Sequence, residues 1–125
     1  MLKIGELARI SGLHAQTIRN YEQQSLLKPA ARSETGQHRL YRAEEVARLQ
    51  FIRQANLAGL TLREVKELLA LIEGGQRGEN FPRVREALEK NIRQTEQKIE
   101  LLSAFRDSLL SYRWRFEEKK DQGQL

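Results

Sequence analysis

Apolar side chains return at spacings of three and four along most of this chain, and the breaks in that rhythm mark its elements. Ile4, Leu7 and Ala8 fall on one face of a short first helix. Ser11-Gly12-Leu13 interrupts the period, and Ile18 and Tyr21 resume it on a second helix. Two short helices joined by a glycine-bearing turn are the pattern of a helix-turn-helix. The small Ala8 lets the second helix cross closely. Gly12 permits a positive φ that is costly for any residue with a Cβ, and Leu13 plugs the angle between the helices. Met1-Leu2-Lys3-Ile4-Gly5 already lies in the first helix pattern, and no signal peptide is expected there.

The helical rhythm stops near Gln23-Gln24-Ser25; Leu26 and Leu27 read as core plugs, and Pro29 pushes its neighbour towards extended backbone. Residues 31–41 are polar, carry Gly36 at their tip and end in alternation, which predicts a short two-stranded ribbon, a wing, with Gly36 in the turn. A third helix is predicted from Ala43 to Ala58 on the stripe Val46, Leu49, Phe51, Ile52, Ala55 and Leu57, with Gly59 as a left-handed cap. Thr61-Leu62-Arg63-Glu64 is a capping box, and Leu62, Val65, Leu68, Leu69 and Ile72 form the stripe of a fourth helix. Glycine costs about 1 kcal/mol inside a helix, so Gly74, Gly75 and Gly78 are expected to end it.

From Pro82 to about Lys119 neither glycine nor proline intervenes. Val84, Leu88, Ile92, Thr95, Ile99, Leu102, Phe105, Leu109, Tyr112 and Phe116 form a heptad-like seam. Such a helix would be about 55 Å long, more than the preceding residues can cover, and a bare seam of that length invites association. Pairing with a second copy is expected through Leu88, Ile92, Thr95, Ile99, Leu102, Phe105 and Leu109; an intramolecular hairpin is the rival, but the helix contains no turn residue. The expected organisation is therefore a head at 1–75, a linker at 76–81, a dimerisation helix at 82–119 and a disordered tail at 120–125.

Composition narrows the function. Hydrophobic residues at 39%, charged residues at 31% and two prolines favour helix over sheet. The net charge is +5, and residues 1–58 hold nine Lys and Arg against five Asp and Glu, so the excess lies with the helix-turn-helix. That charge is ordinary for a soluble domain and only agrees with nucleic-acid binding. The absence of cysteine excludes disulfides and thiolate metal sites. His14 and His38 have no companions at ligand spacing, so no metal and no cofactor are expected. No run approaches the roughly 20 apolar residues of a membrane span. The expected location is cytoplasmic, and no membrane partner is expected.

Candidate DNA contacts follow from chemistry and position. The second helix exposes Gln16, Thr17, Arg19 and Asn20, which can hydrogen-bond base edges and phosphates. Tyr21 falls at an apolar position, so a buried ring is weighed against a hydroxyl at a phosphate. In the wing the candidates are His38, Arg39 and Tyr41, the last chiefly for packing with a backbone contact; Lys3 lies near the start of the first helix. Each charged residue also has a reading as plain solvated surface.

Helix-turn-helix, wing, capped helix pair, glycine linker and one long terminal helix, in that order, resemble the MerR family of bacterial transcription regulators. The resemblance rests on Ile4-Gly5-Glu6-Leu7-Ala8, Thr17-Ile18-Arg19-Asn20-Tyr21-Glu22, Leu26-Leu27-Lys28-Pro29, Arg39-Leu40-Tyr41 and Phe51-Ile52-Arg53. It implies a mainly α fold: a winged helix-turn-helix DNA-binding domain followed by a long helix that forms an antiparallel coiled coil in a homodimer. It also implies a two-fold promoter site in double-stranded DNA, control by bending and untwisting the promoter spacer, and RNA polymerase as a partner. The family usually carries Arg-Tyr-Tyr-Glu or Arg-Phe-Tyr-Glu where this chain has Arg19-Asn20-Tyr21-Glu22, which implies a different operator sequence. The wing tip Gly36-Gln37-His38-Arg39 is one residue longer than the common Gly-Tyr-Arg form; the phosphate contact carries over to Arg39.

Phe81 stands near where metal-sensing members of that family carry a cysteine. Together with Tyr112, Trp114 and Phe116 it is the candidate lining of an organic-effector pocket, formed where one long helix ends against the partner's head. The other readings of Tyr112-Arg113-Trp114-Arg115-Phe116 are coiled-coil packing and an arginine contact with an acidic partner. No separate sensor domain is expected, and the effector is unknown. Besides a promoter regulator, the residues admit an architectural or recombination-accessory DNA binder, or a coiled-coil interaction adaptor. An enzyme is not expected, because the sequence has no phosphate-cradling glycine loop, no cysteine nucleophile and no clustered histidine with paired carboxylates.

Overall fold

The computed structural model describes residues 1–29 and 31–123. In chain order the elements are β1 (Leu2–Lys3), α1 (Ile4–Ser11), α2 (Ala15–Gln23), β2 (Ala31–Arg32), β3 (Arg39–Tyr41), α3 (Glu45–Leu57), α4 (Leu62–Gln76) and α5 (Phe81–Asp121). They fall into two compact units, the first Met1–Ala70 and the second beginning at Leu71, so the division lies within α4.

The first unit has one closed core. Leu7, Ile18, Leu26, Leu27, Tyr41, Leu49, Ile52 and Val65 are fully buried, and Leu2, Ile4, Ala8 and Leu13 pack around them. Burial of this kind stabilises by about 1.5–3 kcal/mol per large side chain. Leu57 does not join it and is exposed, a correction to the predicted stripe. The turn between α1 and α2 is built as its sequence suggests. Gly12 caps α1 at φ 74 and donates its amide to the Ala8 carbonyl. Beside it the buried Ser11 hydroxyl accepts from the amide of Leu13 at 3.3 Å. After α2, Ser25 takes the left-handed conformation at φ 62. Its amide bonds to Glu22 and that of Leu26 to Tyr21, which closes the helix without a glycine.

The wing contains three strands, not two. β3 is central, with β2 on one side (Ala31 opposite Leu40) and β1 on the other (Leu2 opposite Tyr41), all antiparallel. Leu2 and Lys3 therefore precede α1 as a strand rather than opening the helix. Two residues are too few to show a period, and their pairing with Tyr41 is set by tertiary structure. Gly36 takes φ 72 at the wing tip and Gly59 takes φ 97 after α3, both as expected. The capping box at α4 is formed: Glu64 N donates to Thr61 Oγ1 at 3.1 Å and Thr61 N to Glu64 Oε1 at 3.1 Å.

The glycines of the second unit correct the predicted helix end. Gly74 and Gly75 lie inside α4, which runs to Gln76. Gly78, at φ 83, is the stop: Glu79 N bonds to Gly74 O and Gly78 N to Gly75 O, a Schellman closure. Gly75 is needed where it stands because a Cβ there would meet both methyls of Val84 at 3.1 Å. The close approach of α5 offsets the helix cost of that glycine. The link between the helices shrinks to residues 77–80, with Asn80 left-handed ahead of Phe81 and Pro82 in the first turn of α5. Residues 120 and 121 of the expected tail are helical, and positions 124 and 125 lie outside the described residues.

These two neighbouring glycines should respond oppositely to alanine. Gly74→Ala meets only the flexible Glu79 carboxylate at 3.5 Å and should stabilise by about 0.5–1 kcal/mol through helix propensity. Gly75→Ala should destabilise by about 1 kcal/mol or more through overpacking against Val84. Urea unfolding of the two variants measures the difference, and equal stabilisation by both would contradict the packing described.

Candidate nucleic-acid interface

Helix α2 buries Ile18 and Tyr21 and turns its remaining side chains outward. Gln16, Arg19 and Asn20 are exposed and Thr17 is half-buried. Gln16 Nε2 donates to Asn20 Oδ1 at 3.1 Å, one helical turn apart. Asn20 thus keeps both amide protons and a second carbonyl lone pair facing outward. Tyr21 is held from below: its hydroxyl accepts from Asn56 Nδ2 of α3 at 3.1 Å, which fixes α2 against α3.

Glu22, on the same helix, is the joint between α2 and the wing. One carboxylate oxygen accepts from the Tyr41 hydroxyl at 2.6 Å, and the other pairs with Arg39 Nη1 at 2.8 Å. Both partners belong to β3. Burial, and then the hydrogen bond to Glu22, push the Tyr41 hydroxyl up to about 12, so it remains a donor throughout the neutral range. Tyr41 is fully buried. It supports the surface from beneath, which is the packing chiefly expected of it, and its hydroxyl is committed to Glu22 rather than turned outward. Arg39 stays exposed, its guanidinium oriented by Glu22.

Between α2 and the wing lies an open groove of about 660 Å³ whose walls include Arg19, Gln23, Arg32, Gln37, His38 and Arg39. Three arginines face one carboxylate there, so the groove favours an anion. It brings Arg19, His38 and Arg39 together as the sequence suggested. It also adds Arg32 and Gln23, which sequence reasoning missed; Arg32 is a lone cation on a two-residue strand, and only its register opposite Arg39 places it here. Gln16, Thr17 and Asn20 lie on α2 beside the groove but do not line it, and Lys3 stands exposed on β1, also outside it.

The residues proposed for an effector do not converge within one chain. Phe81 opens α5, and Tyr112, Trp114 and Phe116 lie about 50 Å further along it at 1.5 Å per residue. Phe81 instead lines an apolar groove of about 890 Å³ with Ile72 and Gly75 of α4 and Val84, Leu88 and Ile92 of α5. Among the described residues no three His, Cys, Asp or Glu side chains gather as a metal site, and no helix is long and apolar enough to cross a membrane.

A helix-turn-helix with an outward polar second helix, flanked by a basic wing, defines a DNA-reading protein. Residues 2–72 match the MerR HTH family regulatory protein family, and residues 46–112 match the family described as MerR, DNA binding. The chain is 40% identical over 108 residues to an uncharacterised HTH-type transcriptional regulator of Pseudomonas aeruginosa, covering 86% of this chain and 80% of the relative. It is 37% identical over 110 residues to the HTH-type transcriptional regulator CueR of Escherichia coli, covering 88% and 79%. A solved structure described as a MerR family transcriptional regulator from Listeria monocytogenes superposes with a TM-score of 0.74 at 30% identity, over 98% of this chain and 86% of that one. The chain belongs to the MerR family and is a DNA-binding transcription regulator. The relatives matched are regulators rather than enzymes.

The Glu22 joint can be tested by a double-mutant cycle. Glu22→Ala strands a buried hydroxyl and should cost about 2–3 kcal/mol. Adding Tyr41→Phe should recover part of that loss, giving a coupling energy above about 1 kcal/mol in urea unfolding. Strictly additive effects would mean that the 2.6 Å contact contributes nothing.

Proposed function

We propose that this chain acts as a homodimer on a pseudo-palindromic promoter site, each head placing α2 in a major groove and its wing against the flanking backbone. The observation that carries this reading is the shared groove, in which Arg19 of α2 stands beside Arg32 and Arg39 of the wing. Arg39 and Arg32 suit phosphate, and Arg19 suits either phosphate or the O6/N7 edge of guanine. Asn20, with its outward amide, suits adenine, and Gln16 and Thr17 lie on the same face. His38, Lys3 and the unspent hydroxyl proton of Tyr21 are assigned to backbone contacts, which set position without reading sequence.

Dimerisation is assigned to α5. Its seam residues Ile99, Leu102 and Phe105 are 58%, 67% and 61% exposed, and Ile92, Leu109, Tyr112 and Phe116 are open as well. Thr95 fits an apolar seam because its hydroxyl donates to the Asn91 carbonyl of its own helix at 2.8 Å. A second copy bound antiparallel through this helix would bury the stripe. Bending and untwisting of the promoter spacer follows as indirect readout, with contacts on two half-sites offsetting a deformation cost of several kcal/mol. RNA polymerase is then the partner that reads the realigned promoter, and the cytoplasm is where the chain works. An organic effector bound by Phe81, Tyr112, Trp114 and Phe116 would require residues of two copies. No cofactor is invoked.

Two substitutions separate the parts of this reading. Arg19→Ala should leave helicity and dimer mass unchanged and weaken operator binding by about 1–3 kcal/mol in a fluorescence-anisotropy titration. Unchanged affinity would remove Arg19 from the interface. Leu102→Glu sets a carboxylate in the seam of both copies. Light scattering should report a monomer and footprinting a weakened two-fold protection, whereas a dimer of unchanged mass would rule out α5 as the interface.

A further inference from the structure

Two of the outward side chains of α2 are tied to each other. Gln16 Nε2 donates to Asn20 Oδ1 at 3.1 Å, and both residues are exposed. Among the described residues neither side-chain amide makes another hydrogen bond. The oxygen and nitrogen of a primary amide occupy nearly equivalent places, and half a turn about the last side-chain bond exchanges them. For Asn20 that exchange matters. The major-groove edge of adenine sets the N6 donor beside the N7 acceptor, so only one order of oxygen and nitrogen meets it. In the reversed order the nitrogen faces the place where guanine and thymine carry an acceptor, O6 or O4. An untethered asparagine can take either order. In this chain, turning Asn20 alone would set Nδ2 against Gln16 Nε2, two donors facing each other.

The order observed is also the one that the helix favours. Gln16 is the second residue of α2, where backbone amides lack intrahelical acceptors and the positive end of the helix lies. An oxygen is better placed there than a second NH2 group, so Gln16 keeps Oε1 for that end and turns Nε2 towards Asn20. We propose that Gln16 determines specificity through Asn20: by fixing the orientation of the Asn20 amide it commits that side chain to adenine and against guanine and thymine at one position of each half-site. This rests on the DNA-reading assignment of α2 above and adds which residue sets the choice of base. Asn20 contacts the base, and Gln16 is a positioning residue one helical turn behind it.

Selection from randomised duplexes by the full chain supplies the operator. The readout is the ratio of affinities for duplexes that differ by one base pair, which cancels any change that weakens all duplexes alike. Asn20→Ala should abolish a preference for adenine at one position of each half-site and so identify that position. Gln16→Glu has the same shape and no donor. Its carboxylate draws Nδ2 inward, and the preference for adenine there should fall by about tenfold, with the other positions unchanged. Gln16→Lys retains a donor and should keep the preference of the parent chain. In the Asn20→Ala background Gln16→Glu should change no ratio further. An adenine preference that survives Gln16→Glu overturns the proposal, as does a base other than adenine at the Asn20 position. A loss at a different position also overturns it and would mean that Gln16 reads a base itself. A chain that selects no sequence, or whose site is indifferent to Asn20→Ala, overturns the reading of α2 and the proposal with it.

Discussion

The exclusion of water from apolar surface is satisfied in one unit of this chain and not in the other. In the first unit ten side chains, from Leu7 to Leu69, close on one another. In the second, α5 runs for 41 residues, about 60 Å, and leaves its leucines, isoleucines and aromatic residues open from Ile92 onward. Backbone hydrogen bonding alone gives a helix only marginal stability in water. A helix of this length with a continuous apolar stripe gains most when another surface covers that stripe. The head can be complete as a monomer, whereas α5 is suited to association, and the functional reading follows from that difference.

Within the head, the geometry of the basic groove depends on one carboxylate. Glu22 holds Tyr41 and Arg39 at once, tying the register of β3 to α2. Tyr41 in turn sits opposite Leu2 in the sheet and deep in the core. The cations of the groove are thus presented on a joint rather than on independent loops. A guanidinium held in this way loses less side-chain freedom on meeting a phosphate than a free one does.

What the sequence disclosed and what it hid divide by range. Gly12, Gly36 and Gly59, together with the Thr61–Glu64 box, are local devices whose chemistry is complete within a few residues, and each takes the predicted conformation. Gly74 and Gly75 misled because propensity counts the cost of glycine and not its tertiary benefit, which here is the approach of Val84 nine residues away. β1 has no period to read. The packing of Tyr41 was legible, but its hydrogen-bond partner Glu22, nineteen residues distant, was not, and Arg32 went unnoticed because only strand register places it beside Arg39. In the candidate site, α2 was legible from helical periodicity, whereas the contribution of the wing required the sheet.

The spacing of the seam carries information that an apolar count does not. A run of heptads specifies that helices associate and leaves their direction open. The doubled step of three at Ile99–Leu102–Phe105 breaks the heptad, and in a single helix it would be only a local overwinding. Placed at the midpoint of a series that is otherwise symmetric, it becomes a centre about which two copies can be exchanged.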